Sequence, residues 1–482
     1  MSTSSIMQET IRRPSRLAAV RDRRGLALAI VLGAQLMIIL DMSVVNIALP
    51  SIAHGLHFGT AGLSWVLNAY TLTFGGLLLL GGRAGDILGR RRVFLAGIGL
   101  FTVASLAGGL AQSAGWLLAA RAAQGVGGAI ASPAVLAMII ASFADGRERA
   151  RALGIYTAVV MGGGSLGLVL GGVITEWVSW RWVLFINVPI GILVAVATPL
   201  FLAETARQPG HFDAAGALTS TAGMVSLVYG IIRAAADGWG NPVTLAAFAA
   251  ATALLAGFVW RESRARQPIT PLRLFADRRR AGSYLTRLLL VAGMFGMFFF
   301  LTQFVQDILG FSPLRAGISF LPMTAALFGV SRLSPRLVSR FRPWSLMVAG
   351  MLPVVAGMAW LSRIAPGTGY LAGVLGPMVL IGAGMGVVFV PLTMASLAGV
   401  RPSDSGAASS MVNVMQQVGG SLGLAVLVTA SSSVTRSATG TAAVVHGMSS
   451  AFTLAAVFDV LALLVVLTVM RPGQAHEADP AG

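Results

Sequence analysis

Two charged side chains stand inside otherwise apolar runs, and of all the residues in the chain they are the best placed to do chemistry. Asp41 lies in LALAIVLGAQLMIILDMSVVNIALP and Arg121 in WLLAARAAQGVGGAIASPAV. A charge at the centre of a membrane helix costs about 2.5–3.5 kcal/mol on insertion scales, so such residues mark a partner or a pathway. At 1.5 Å per residue, Asp41 sits about 12 Å from the end of its run near Leu49, and Arg121 about 8 Å from the end of its run near Trp116. The first and fourth helices run antiparallel, so the two opposite charges lie at similar depth and can offset each other's burial. The chemistry this predicts is proton exchange: a carboxyl that gains or loses a cationic neighbour during a movement loads or releases a proton.

The elements that must position these residues are helices in a bilayer. Of the 482 residues 56% are hydrophobic and 11% are charged, against about 25% charged in ordinary soluble proteins. Apolar runs of about 20 residues need helices, because lipid leaves no partner for open backbone groups. Such runs lie at 26–49, 62–82, 93–112, 116–139, 152–174, 182–203, 214–235 and 243–260, and then at 283–304, 316–334, 344–363, 370–395, 405–430 and 449–470. The predicted fold is an all-α, polytopic membrane protein of fourteen spans. Its expected divisions are an N-terminal tail 1–25, a six-helix bundle 26–203, two additional helices in 204–260, a linker 261–282, a second six-helix bundle 283–470 and a tail 471–482. Two bundles of six suggest a transporter built from repeats, with its site near the midplane.

The basic residues set the orientation. All 34 are Arg, against 17 acidic residues, for a net charge of +17. Twenty-seven of them fall in the tails and alternate loops, five in the opposite loops, and Arg121 and Arg287 inside helices. The positive-inside rule then puts both termini in the cytoplasm. Alternation of this kind is a topology signal and not a phosphate-tracking surface, so no nucleic-acid partner is expected. The absence of Lys excludes a P-loop and a Schiff-base site, and the absence of Cys removes thiolate metal sites and disulfides. His54 and His57 have no acidic neighbour to complete a metal site, so neither metal nor cofactor is expected, and no enzyme.

The loop after the second run reads GGRAGDILGRRR. Gly82 and Gly89 permit a tight turn, and Asp86 stands beside Arg90, Arg91 and Arg92 at the start of the third helix, where a negative charge is favoured. With this loop the chain resembles the major facilitator superfamily, whose signature there is G-x-x-x-D-x-x-G-R-R. The resemblance implies that Gly82, Asp86, Gly89, Arg90 and Arg91 belong to an inner gate between the halves. The corresponding loop of the second half, SPRLVSRFRP, keeps Arg340 but has Ser339 where an acid might stand.

Other segments narrow the resemblance. LDMSVVNIALP is similar to the first-span motif of the fourteen-span drug:proton antiporter branch, and RAAQGVGGA to the superfamily's fourth-span motif, with Arg121, Gln124 and Gly125 in place. WRWVLFINVPIG at 180–191, FDAAGAL at 212–218 and VQDILGFSPLRAG at 305–317 also resemble that branch. GGSLGLVLGG at 163–172 matches the antiporter glycine motif at Gly163, Gly167, Gly171 and Gly172, with Leu168 in place of its Pro. These glycines form a small-residue face for close helix approach.

The resemblance implies a proton-coupled exporter of a small hydrophobic molecule such as an antibiotic, acting as a monomer in a bacterial cytoplasmic membrane. Asp41 and Arg121 would couple protons. Phe295, Phe299, Thr302 and Gln306 fall on one helical face, and with Asn46 and Gln124 they are candidates for a substrate cavity. Asp459 lies near the middle of the last run, where a coupling role competes with a peripheral place in the bundle. Gln416, Gln417, Gly419, Gly420 and Gly423 read as a helix-packing seam. An importer of a specific metabolite on the same fold is the alternative reading, ahead of a membrane enzyme or a transport-dead sensor.

Overall fold

A computed structural model describes residues 16–142, 147–202, 204, 213–264, 272–400, 405–435 and 440–471. Every regular element among them is helical. In chain order the long helices are α1 (Arg16–Leu56), α2 (Thr60–Leu88), α3 (Arg90–Gly109), α4 (Ala114–Ser142), α5 (Arg147–Trp177), α6 (Trp182–Phe201), α7 (Ala214–Asp237) and α8 (Pro242–Arg264). There follow α9 (Arg278–Ile308), α10 (Pro313–Ser331), α11 (Pro343–Leu361), α12 (Leu371–Leu397), α13 (Ser405–Thr435) and α14 (Thr441–Thr468). Among the described residues, twelve helical segments are long and apolar enough to cross a membrane. The protein is a multi-pass membrane protein.

Each helix matches its expected apolar run to within three residues or extends beyond it. α1 is helical from Arg16, inside the expected N-terminal tail, and continues through Pro50 to Leu56. α8 and α9 reach to Arg264 and from Arg278 into the expected linker, leaving a 3-10 turn at Leu272–Phe275 between them. Once a helix is nucleated, each further residue adds a hydrogen bond at little cost, so the ends outrun the apolar pattern. Residues 1–15, 265–271 and 472–482, which carry the rest of the expected tails and linker, lie outside the described residues.

Consecutive helices reverse direction, so the loops divide between two ends of the bundle. The turns at 57–59, 110–113, 178–181 and 309–312 belong to the Arg-poor end, and those at 89 and 332–342 to the Arg-rich end. In α1–α6, α4 packs on α2 and α3, α5 on α1, and α6 on α3 and α1. In α9–α14, α9 packs on α13 and α14, while α12 packs on α10 and α11. Asp277 caps α9 through the Arg280 N–H (2.8 Å), and Ser312 caps α10 through that of Arg315 (3.3 Å).

α7 and α8 form a hairpin. Asp213 caps α7 by accepting from the Gly216 N–H (2.9 Å) and also receives Arg261 Nε at 2.6 Å, so one carboxylate ties both strokes of the hairpin together. α7 lies along the groove between α2 and α13. Its Val228 and Ile232 pack with Leu72 and Ala425, and the Thr429 hydroxyl donates to the Ile231 carbonyl at 3.1 Å. α8 packs on α7 and turns Leu245, Val259 and Trp260 outward.

Candidate functional site

The first and fourth helices meet as their charges require. Arg121 Nη1 donates to Asp41 Oδ2 at 2.5 Å, and each residue is 1% exposed. The other carboxylate oxygen, Oδ1, accepts from Gln124 Nε2 (3.0 Å) and from Asn187 Nδ2 (2.8 Å). Both amides are oriented in turn by Ser105 Oγ, at 2.7 Å from Gln124 and 3.4 Å from Asn187. Arg121 Nε donates to the Val66 carbonyl (3.0 Å), Nη1 also reaches Gln124 Oε1 (2.9 Å), and the guanidinium lies 4.5 Å from the centre of the Tyr70 ring.

Five helices therefore converge on one carboxylate: α1, α2, α3, α4 and α6. The acceptor-only geometry, with three donors on Asp41, is that of an ionised acid whose charge is matched by Arg121. Removing either charge would leave the other buried alone, at a cost of about 3–5 kcal/mol. If the guanidinium swings away, Asp41 loses its only cation and its strongest donor, and protonation then becomes the cheapest way to keep the carboxyl buried. The arrangement has the parts that a conformation-sensitive proton acceptor needs, a buried carboxyl and a cation that can leave it.

Sequence reading had singled out Asp41, Arg121 and Gln124, although Gln124 was expected to face a substrate cavity. The structure places its amide fully buried between Asp41 and Ser105. Ser105, Tyr70 and the Val66 carbonyl went unremarked, since neutral polar groups and backbone oxygens carry no charge signature. Asn187 lay in the quoted WRWVLFINVPIG segment. It is an amide in an apolar run, a signal that was present but not used.

The glycine-rich face of α5 packs on α1 and reaches the second half. A Cβ on Gly167 would lie 2.6 Å from Ser43 Cβ, one on Gly171 2.9 Å from the Val44 Cα, and one on Gly163 3.0 Å from Ile39. At Gly172 it would meet the Pro313 carbonyl at 2.6 Å, on α10. The return contact is Gly317 of α10, whose Cβ would lie 2.4 Å from the Leu168 carbonyl. Leu168 leaves α5 unbroken from Arg147 to Trp177.

The candidate cavity residues divide among three environments. Thr302 donates to Asn46 Oδ1 (3.4 Å) and Gln306 Nε2 to the Ile47 carbonyl (2.9 Å), joining α9 to α1 near the Arg-poor end. Phe299 is fully buried edge-to-face against Phe300. Phe295 packs over Gly420 of α13. Gly419 and Gly423 meet Leu288 and Ala292 of α9, so the predicted α13 seam is an α9–α13 contact. Toward α2, Gln417 packs on Gly75 and the Ser421 and Thr71 hydroxyls share a 2.5 Å hydrogen bond.

At the Arg-rich end, Gly89 joins α2 to α3 with φ +104°, a conformation that an L side chain rarely adopts. Arg90 Nη1 donates to the Ala137 carbonyl (3.3 Å) and Arg91 Nη1 to that of Leu202 (3.1 Å). Glu204, just past α6, accepts from the Arg91 N–H (3.0 Å) and lies 3.7 Å from Arg92 Nε. Gly82 sits against Pro133 of α4. The Asp86 side chain lies outside the described residues.

Arg287 and Asp459, both within the spans of the second half, are also buried. Arg287 on α9 is 3% exposed; Nη2 donates to Thr393 Oγ1 (2.7 Å) while Nε has no partner. Asp459 on α14 is fully buried, and neither of its oxygens receives a hydrogen bond.

Comparison with known proteins agrees with this architecture. The sequence profile of the Major Facilitator Superfamily matches residues 31–424. A puromycin resistance protein of Streptomyces alboniger is 41% identical over 474 residues, covering 95% of this chain and 94% of its own. A cephamycin export protein of Amycolatopsis lactamdurans is 41% identical over 459 residues, with 94% of each chain covered. Among solved structures, a bacterial homologue of the human lysosomal transporter Spinster, described as inward-facing and unoccupied, superposes with a TM-score of 0.67. That likeness is at 18% identity over 94% of this chain and 99% of the other, and speaks to the fold.

Proposed function

The chain belongs to the Major Facilitator Superfamily and is a transporter, not an enzyme; we propose that it exports a small hydrophobic molecule, an antibiotic by class, in exchange for protons. The observation that carries this reading is the Asp41–Arg121 contact, fully buried and held by donors from α4 and α6. Relatives named for antibiotic resistance and export, spanning nearly the whole chain, support the substrate class.

In this reading the protein has fourteen spans, works as a monomer in a bacterial cytoplasmic membrane and keeps both termini inside. The Arg-poor end is then external. There the two halves touch through α1–α9 and α5–α10, so the structure represents a state closed to the outside. In that state Asp41 is paired with Arg121. Opening the external side shifts α1 against α4, weakens that pair and lets Asp41 take a proton. Return to the closed state restores the guanidinium contact and expels the proton inward. The Gly89 turn with Arg90, Arg91 and Asp86 forms the inner gate, and Glu204 anchors it to the end of α6.

The experiment is export of a fluorescent cationic drug from proteoliposomes under an imposed pH gradient. Asp41→Asn keeps the shape and the hydrogen bond from Gln124 but cannot titrate. It is expected to abolish gradient-driven export at normal membrane abundance. Undiminished export by that variant would refute the coupling role.

A further inference from the structure

Asp459 is enclosed on every side by helices that offer it nothing. α14 packs against α9, α11 and α13. Neither α11 (Pro343–Leu361) nor α13 (Ser405–Thr435) contains an ionisable residue. On α14 itself the other titratable group is His446, thirteen residues away. On α9, Arg278, Arg279 and Arg280 lie in the first turn and Asp307 in the last. Arg287 is the one cation within the span, and its guanidinium is committed to α12, at Thr393 Oγ1 (2.7 Å) and over Phe389 (5.7 Å to the ring centre). The group facing Asp459 is Gly293 of α9, where an added Cβ would lie 3.3 and 3.5 Å from the two carboxylate oxygens.

A carboxylate in this setting would be a bare charge in hydrocarbon, and such groups neutralise. A neutral acid is compatible with the packing, and neither of its oxygens accepts a hydrogen bond from a neighbouring group. Asp459 therefore does not serve the closed fold. It sits across from Gly293 of α9, and the far end of the same helix is a π turn at Phe304–Ile308, a feature that marks functional irregularity in helices. That same helix carries the Thr302–Asn46 and Gln306–Ile47 bonds that join the halves. Breaking those bonds frees α9 to move off α14 and admit water to the acid.

We propose that Asp459 is a second proton-binding site, holding a proton in the closed state and exchanging it when α9 shifts against α14. This rests on the exporter reading above and extends it: each half buries one Asp within its spans, Asp41 paired and Asp459 without a partner. Water reaches Asp459 only when the external side opens, so its proton comes from and returns to that side; the site adds no proton to the net exchange and instead makes closing depend on a second protonation.

Two measurements test this. Infrared spectroscopy of the purified wild-type protein should show a protonated carboxyl band that Asp459→Asn removes and Asp459→Glu retains at a shifted frequency. In proteoliposomes with the membrane potential clamped at zero, the slope of log export rate against the pH on the external side should fall from roughly two in wild type, where both carboxyls must be protonated before closing, to roughly one in Asp459→Asn. Asp459→Glu should keep the wild-type relation. A wild-type spectrum without the band, or an unchanged relation in Asp459→Asn, overturns the proposal. If Asp459→Asn does not accumulate, the wild-type band and its shift in Asp459→Glu decide it. Loss of the exporter reading would look different: wild-type proteoliposomes would show no gradient-driven export while the infrared band at Asp459 stayed.

Discussion

The two halves of this protein bury charge in opposite ways. In the first, Asp41 takes donors from Arg121, Gln124 and Asn187, and Ser105 orients both amides. In the second, Arg287 has a single side-chain partner and an unmatched Nε, and Asp459 has none on either oxygen. A satisfied network fixes one arrangement and is expensive to break; an unsatisfied group is a reservoir that another conformation can relieve. The contrast teaches that the first half is set for this state and the second is set to leave it.

The sharpest way to break that comparison is to truncate the guanidinium in each half. Arg121→Ala strands the Asp41 carboxylate and should lower stability by about 3–5 kcal/mol, read as a large fall in melting temperature in detergent. Arg287→Met, which fills similar volume without a charge, should change stability by less than about 1 kcal/mol or raise it, because a buried and poorly paired ion often costs more than it returns. Comparable losses at both sites would erase the distinction. Between these in size, Asn187→Ala should cost about 1–3 kcal/mol by leaving Asp41 Oδ1 short of a donor. It should also lower drug export, and unaltered melting would show that the α6 amide is dispensable. Gly172→Leu tests the contact between halves. Its side chain must displace the Pro313 carbonyl, so about 1–3 kcal/mol of overpacking falls on the closed state, and cysteine cross-linking between α5 and α10 should drop. The smallest effect belongs to Glu204→Gln. The salt bridges it makes to Arg91 and Arg92 are partly exposed and should contribute no more than about 1 kcal/mol, detectable in export rate before it is detectable in melting.

Helices were legible from the sequence wherever apolar runs of membrane length stood between polar turns, and their meeting was legible where depth alone decided it. Asp41 and Arg121 share a depth that could be counted along two antiparallel helices, so their pairing could be read in advance. Ser105 and Asn187 could not. Each is a neutral residue on a different helix, and which way a helix turns about its axis depends on packing that a single sequence does not display. The same limit applies to Phe295, Phe299, Thr302 and Gln306: 3.6-residue spacing put them on one stripe of α9, but that helix is surrounded, and the stripe is divided among α1, α13 and core. α1, α8 and α9 run past their apolar stretches for a simpler reason, since backbone hydrogen bonding continues beyond the point where hydrophobicity stops.

The hairpin of α7 and α8 adds a mechanical constraint. α7 touches Gly76 of α2 through Thr221 and takes a hydrogen bond from Thr429 of α13, so it is seated on both halves at once. A keel laid along the joint of a hull behaves in the same way: the planks cannot rock without dragging it or sliding along it. It also covers the outer face of the α2–α13 contact along that flank.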